Sequence, residues 1–185
     1  CHAQVIGFVG RLTNDKGIED LVESFESMPR RESDRLLLVG DFEDGDSLPR
    51  GARQAIDTDD RITSAGWVDD PRVAYAAMDI LAFPSYREGL PNVPLEAQLS
   101  GVPVVAYAAT GTVDAVCDGV GGVLVAVGDV AEFAEALRAL LDDPERRAGF
   151  ATSGRVWVAE HFDRRDVWTS LLDVVRLPAS AGARR

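Results

Sequence analysis

The stretch DILAFPSYREGLPNVPLEAQLSGVPVVAY, from Asp79 to Tyr107, decides the architecture of the chain. Its apolar ends read as two buried strands, Asp79–Pro84 and Val104–Tyr107, and the segment between them as a turn followed by a short helix. The turn carries Glu88 and the helix carries Glu96. A strand, a helix and a second strand of this length form a βαβ unit, whose polar groups gather at the carboxyl end of the first strand. Open α/β sheets bind their ligands at that end.

The turn has a residue-level logic. Pro84 ends the strand, and Gly89 and Pro91 let the chain fold back tightly and leave backbone amides exposed at Gly89 and Leu90. Asn92 is expected to cap the helix, with Val93 and Pro94 in its first turn, where a missing N–H costs nothing. The free amides of such a turn, backed by the positive end of the helix dipole, suit a phosphate. Glu96 lies within or just after this turn, and Glu88 upstream on the other side of the same mouth. A carboxylate beside a phosphate is unfavourable unless it accepts hydrogen bonds, so the hydroxyls of a sugar or ribose are the natural partners of both. Spacing alone leaves the alternative open that Glu88 is a solvated loop residue and Glu96 a surface residue complementing the helix dipole.

Upstream, VIGFVG (Val5–Gly10) is a strand that begins almost at once, as expected for a piece of a longer protein. It leads through Arg11 and Lys16 to a helix from Gly17 to Met28, with Ile18, Leu21, Val22 and Phe25 on one face. Gly10 lets the backbone approach a ligand. Arg11 offers a fork matched to phosphate oxygens and Lys16 a compact point charge, so two cations leave this strand end together. Both are equally able to be solvated surface charges. Further strands are expected at Arg35–Gly40 and Arg61–Ala65, separated by the acidic loop Asp41–Pro49 and a short helix to Ile56. Gly66, Trp67 and Val68 follow the third strand, and Pro71 opens a helix through Ala77.

Downstream, small residues at Ala108 to Gly111 allow close approach to a ligand, and Thr112 is expected to cap a short helix to Cys117. A last strand, Val123–Val127, precedes an amphipathic helix, Val130–Leu141, and a helix restarted at Asp143–Pro144 runs to Glu160. A closing helix is expected over Arg164–Val175, with Val167, Trp168, Leu171 and Leu172 as its apolar stripe, ahead of a disordered tail from about residue 177 to Arg185. Residues 1–176 thus form one domain. Six alternations of strand and helix predict an α/β fold, a doubly wound parallel six-stranded sheet with helices on both faces.

Composition narrows the classes. A chain of 185 residues with 46% hydrophobic content can bury a sizeable core. The net charge of −12 argues against a nucleic-acid partner, which demands a basic face, but not against a small phosphorylated ligand. No apolar run reaches membrane-spanning length and the first residues lack signal-peptide features, so a cytoplasmic location is expected, with membrane association only through a part beyond this chain. Cys1 and Cys117 form no metal or redox spacing, and Cys117 is expected to be free and buried. There is no G-x-G-x-x-G after the first strand and no G-x4-G-K-[ST] anywhere, which removes the main support for dinucleotide and P-loop readings. Lys16 is the only lysine.

Glu88 and Glu96 are separated by seven residues in SYREGLPNVPLEAQLSGVPVVAY, which is similar to the E-x7-E signature of the retaining GT-B glycosyltransferases (glycosyl transferases group 1, family 4). The resemblance extends to GFVGRLTNDKGIEDLVESF (Gly7–Phe25) and to DAVCDGVGGVLVAVGDVAEFAEAL, in the order expected of the carboxyl-terminal, donor-binding half of such an enzyme. It implies a Rossmann-like fold, an absent amino-terminal acceptor-binding domain, and transfer of a sugar from a nucleoside-diphosphate donor, UDP- or GDP-type, to an unknown acceptor with retention of configuration. It implies roles as well: Arg11 and Lys16 gripping the diphosphate, Glu88 with the amides of Gly89 and Leu90 holding the sugar, and Glu96 taking the ribose. Gly10, Asn92, Val93 and Thr112 would line the donor site, and backbone groups around Trp67 and Val68 would meet the nucleobase, although Trp67 read alone is equally a packing residue. No cofactor or metal is implied, because the two cations fill that role.

The family often has a glycine pair and a glutamate where Ala109, Thr110 and Asp114 stand here, a departure that bears on donor-side detail. A catalytically silent binding module is the competing class, to be separated by a product assay. A GT-B epimerase should bring more histidines than His2 and His161, and a pyridoxal phosphorylase a lysine placed elsewhere than the start of the first helix. Alone, this half is expected to bind donor and transfer little.

Overall fold

A computed structural model of the chain describes residues 3–43 and 48–163. Six strands, β1 (Gln4–Val9), β2 (Asp34–Val39), β3 (Ile62–Gly66), β4 (Ile80–Phe83), β5 (Val104–Tyr107) and β6 (Gly122–Val125), form one sheet in the order β3-β2-β1-β4-β5-β6. Every neighbouring pair is parallel. The helices between and after them are α1 (Ile18–Ser27), α2 (Arg50–Thr58), α3 (Pro71–Ala76), α4 (Asn92–Leu99), α5 (Thr112–Ala115), α6 (Val130–Asp142) and α7 (Pro144–His161). The doubly wound sheet expected from the alternation is the one observed.

The two faces of the sheet follow from the period of two along each strand. Ile6, Phe8, Leu36, Leu38, Ile80, Ala82, Val105 and Tyr107 point to one side, where α1, α2 and α6 bury Leu21, Phe25, Ile56, Phe133 and Leu137 against them. Val39, Leu81, Phe83, Val104 and Ala106 point to the other, against Tyr75 of α3 and Ala97 of α4. Because both faces are covered, β4 and β5 are buried at all four positions, which is why ILAF and VVAY read as continuous apolar runs. α7 packs on α4 and α5 through Val158 against Leu95 and Ala115.

Three helix starts, those of α3, α6 and α7, are set by side-chain caps. Asp70, Asp129 and Asp143 each accept a hydrogen bond from the backbone N–H two or three residues on, at 2.9–3.1 Å, and Pro71 and Pro144 occupy first-turn positions. Two expected caps are not caps. Asn92 is the first helical residue of α4, after Pro91 in extended conformation, and no side chain bonds to the helix start. Thr112 likewise lies inside α5, behind Gly111, and is wholly buried. In both cases the preceding Pro or Gly already supplies the non-helical backbone that a cap position needs.

Element ends differ by a few residues from expectation. β6 closes at Val125 because Ala126 enters a turn with Asp129, and α5 stops at Ala115 because Val116 is extended. Cys117 is a free thiol, half-buried rather than buried. The closing helix at 164–175, its apolar stripe and the tail lie outside the described residues. One buried polar unit outside the rim matters for stability. Arg61 forks onto Asp59 at 2.6 and 3.1 Å, with its guanidinium 4.6 Å from the centre of the Phe25 ring. The hydrogen bond from Arg61 holds the Asp59 carboxyl down at a pKa of about 2.

Candidate functional site

The strand order reverses between β1 and β4, so the turns leaving these two strands diverge and open a crevice at their carboxyl ends. After β1 the chain passes through Arg11 into a 3-10 turn, Asn14–Lys16, and then into α1. After β4 it passes through Ser85 and Glu88 into α4. Gly17 brings the two turns together. It lies in the left-handed region at φ +69°, and a Cβ there would fall on the Pro84 carbonyl, 2.9 Å from its carbon.

Across this contact, Lys16 Nζ donates to Glu88 Oε1 at 2.6 Å, with only 16% and 15% of the two side chains exposed. The wholly buried Ser85 donates its hydroxyl to the same Glu88 oxygen at 2.7 Å. Three further bonds fix this loop and the end of β5 to the 3-10 turn and the start of α1. Tyr86 N–H donates to the Asp15 carbonyl at 3.0 Å, and the hydroxyls of Tyr86 and Tyr107 both donate to Asp20 Oδ2, at 2.7 and 2.6 Å. The Asp20 carboxylate pushes the Tyr86 phenol up to about 12, and burial pushes that of Tyr107 up as well, so both remain donors.

Arg11 is exposed and ion-paired with Glu43, and its Nη2 lies 3.9 Å from Asp15 Oδ2. Lys16 Nζ lies 3.9 Å from that same oxygen. The two cations expected at this strand end therefore converge on one carboxylate. Beside them is a cavity of about 530 Å3, lined by Gly10, Arg11, Trp67, Val68, Val93 and Glu96, together with Asp41, Phe42, Glu43 and Asp69. Trp67 is 74% exposed, with its indole N–H donating to Asp69 at 3.2 Å. Within this chain the ring is not packed but forms a bare apolar face on the cavity wall. Glu96 reaches the same wall from α4, and its Oε2 accepts the Tyr75 hydroxyl at 2.9 Å.

The expected site residues fall into three groups. Gly10, Arg11, Trp67, Val68, Val93 and Glu96 share the cavity. Lys16 and Glu88 form a second cluster, tied to the first through Asp15. Gly89 and Leu90, on the loop between them, and Asn92, at the first position of α4, are exposed. That loop is pinned from below, since Gly111 (φ +79°) has no room for a Cβ against the Gly89 carbonyl oxygen and the Glu88 carbonyl, 2.8 Å away. Thr112 is not at the surface. Its hydroxyl is buried and has no hydrogen-bond partner among the described residues. Chemically, the rim combines cations, hydrogen-bond-accepting carboxylates, the N-terminal amides of α4 and an exposed aromatic ring. Such a set is suited to a ligand with an anionic centre between two polyhydroxylated or planar ends.

Sequence reasoning did not single out Ser85 or Tyr75, the two hydroxyl donors to the glutamates. Ser85 sits in the quoted turn three residues before Glu88, a position from which a short side chain reaches back; Tyr75 is one polar atom in an otherwise apolar helix face. Phe42 and Glu43 also escaped, although they follow β2 onto the same rim.

Over residues 3–143 the chain matches the family described as Glycosyl transferases group 1. It is similar to the capsular polysaccharide biosynthesis glycosyltransferase CapM of Staphylococcus aureus, at 33% identity over 168 residues that make up 90% of this chain and 44% of CapM. Among solved structures, Anabaena Alr3699/HepE in complex with UDP superposes with a TM-score of 0.86 at 27% identity, covering 94% of this chain and 49% of that one. The C-terminal domain of the glycosyl transferase group 1 family protein LpcC from Francisella tularensis shares the fold, with a TM-score of 0.74 at 24% identity over 87% of both chains. The chain spans about half the length of the curated relatives it matches. With its parallel sheet arranged as in the Rossmann-like carboxyl-terminal half of GT-B enzymes, this chain belongs to the group 1 glycosyl transferases.

Proposed function

We propose that this chain is the donor-binding half of a retaining, metal-independent glycosyltransferase that takes its sugar from a nucleoside diphosphate, of UDP or GDP type, and works in the cytoplasm. One observation carries the proposal: Lys16, from the turn after β1, meets Glu88, from the turn after β4, at 2.6 Å across the point where the strand order reverses. The HepE structures, solved with UDP and with UDP-glucose, support a nucleotide-sugar as the ligand.

In this reading the diphosphate lies between Arg11, Lys16 and the first-turn amides of α4. An ammonium has three N–H donors and Lys16 commits one to Glu88, so two remain for phosphate oxygens. As the bond from the anomeric carbon to the diphosphate breaks, positive charge grows on the sugar ring and negative charge on the leaving group. The fixed cations and amides stabilise the latter without reorganising, which is the role a metal ion would otherwise fill. Glu88, held on one oxygen by Ser85 and Lys16, offers the other to sugar hydroxyls, and the amides of Gly89 and Leu90 lie beside it. Glu96 takes the ribose, and the base lies over Val68 and Trp67. The acceptor and any general base come from the other half of the enzyme or from the substrate.

The test is calorimetric titration of UDP and GDP into the wild-type chain and Lys16→Ala. A charged hydrogen bond contributes about 1.5–3 kcal/mol, so the variant should bind the diphosphate about tenfold or more weakly. Equal affinity would remove Lys16 from the phosphate site. Retention is read from the anomeric configuration of the product formed by the whole enzyme, and an inverted product would end that part of the proposal.

A further inference from the structure

We propose that Tyr75 is a positioning residue for ribose recognition, acting through Glu96: its buried hydroxyl holds one carboxylate oxygen and so commits the other to the nucleotide cavity. The inference rests on the proposed donor site and deepens it.

Glu96 stands on a partition between two hollows. One is the cavity of about 530 Å3 with Gly10, Arg11, Trp67 and Val68. The other, of about 350 Å3, is lined by Asp70, Arg72, Tyr75, Leu99 and Ser100, and both hollows touch Pro71 and Glu96. An exposed glutamate on a helix has freely rotating χ angles and, left alone, would sample both sides. The second side also offers a cation, Arg72, already forked onto Asp70 at 2.8 Å by each of two nitrogens.

Tyr75 removes that freedom. It is 1% exposed, its ring is fixed in the core layer between α3 and the sheet, and its hydroxyl reaches Glu96 Oε2 at 2.9 Å. Burial first, and then the neighbouring Glu96 charge, push the phenol pKa upward, so the group is always a donor. A carboxylate oxygen that accepts a hydrogen bond from a rigid donor fixes the plane of the whole group. Oε1 accepts no hydrogen bond from any described residue, which leaves it as the acceptor for a vicinal hydroxyl. Arg72 does not compete as a donor to Glu96, because its guanidinium is forked onto Asp70.

The experiment compares the tightest-binding of UDP, GDP and ADP with its 2′-deoxy form, by calorimetry on the 185-residue chain. Wild type should prefer the ribonucleotide. In Tyr75→Phe, which removes one oxygen and keeps the ring, the ribonucleotide should weaken about three- to tenfold while the deoxy form is unchanged, so that the preference shrinks. A purely structural role would weaken both forms equally. Glu96→Asp, at an exposed helical position, withdraws the carboxylate from the phenol without touching the core, and should lose the preference to a similar extent. An unchanged preference in either folded variant overturns the inference. Failure of all three diphosphates to bind wild type would overturn the donor site itself, and the inference with it.

Discussion

Replacing Gly17 by alanine tests whether the meeting of the two rim turns holds the site together. The residue is at φ +69° and ψ +30°, a region that costs an L side chain about 1–2 kcal/mol. Its new Cβ would also land on the carbonyl of Pro84, a backbone group that can yield only if β4 or α1 moves. Overpacking of that kind costs about 1–3 kcal/mol. Together they predict a loss of about 2–5 kcal/mol, which for a chain of this size lowers the melting temperature by about 7–14 °C at the middle of that range. Urea unfolding followed by circular dichroism measures it, with an unchanged slope showing that the denatured state is not the cause. Gly51→Ala is the control, since a Cβ there meets nothing within 4 Å and should be neutral or stabilising by up to about 1 kcal/mol. Because the displaced Pro84 precedes Ser85, Gly17→Ala should also weaken UDP or GDP binding even where it remains folded. A stability within about 0.5 kcal/mol of wild type, with nucleotide binding intact, would refute the close approach as the element that unites Lys16 with Glu88.

Three further outcomes follow from the geometry. Trp67→Ala should leave stability within about 0.5 kcal/mol, since the ring is solvent-facing, yet weaken the diphosphate nucleotide by about 1–3 kcal/mol if a base stacks there; quenching of tryptophan fluorescence on titration reports it directly. Arg11→Ala should weaken nucleotide binding, and the deficit should narrow at high salt because the guanidinium is exposed; a deficit independent of salt would argue against a charge effect. For Asp59 the folded pKa of about 2 lies below the unfolded value of 3.8, so its stabilisation is present above about pH 5 and is lost as the pH falls through 4 towards 2. Asp59→Asn should therefore cost up to about 2 kcal/mol at pH 7 and leave a flatter stability profile between pH 5 and 2, measured by urea melts at each pH.

The sheet was legible because burial on both faces imposes uninterrupted apolar runs such as LAF and VVAY, and because each run ends in a Gly- or Pro-marked turn. The helix faces were legible for the same reason: Ile18, Leu21, Val22 and Phe25 can share a side only at 3.6 residues per turn. Arg11, Lys16, Glu88 and Glu96 stood out as charges placed just after strands. Their pairing was not readable, because whether Lys16 faces Glu88 or solvent depends on a backbone approach at Gly17 that no local pattern announces. The misplaced caps have a common origin. Asn92 and Thr112 are good capping types, but each follows a residue, Pro91 or Gly111, whose own backbone already turns the corner. Trp67 could not be assigned from the sequence, since a tryptophan after a strand serves packing and binding alike; the fold leaves it outside this chain's own core, on the cavity wall. Tyr75 was hidden by its success as a core residue, with one oxygen at the edge of an apolar layer.

The chain has eighteen arginines and a single lysine, and that lysine lies in the crevice. An amine-selective probe therefore finds one side-chain target in this chain, and that target is shielded by a carboxylate. Acylation at Lys16 becomes a footprint of occupancy: slow where a diphosphate lies against the ammonium, faster where Glu88 is removed and the group swings free. Peptide mapping by mass spectrometry would read the label on Lys16 apart from any on the α-amino group, so occupancy can be followed in a mixture with no engineered reporter.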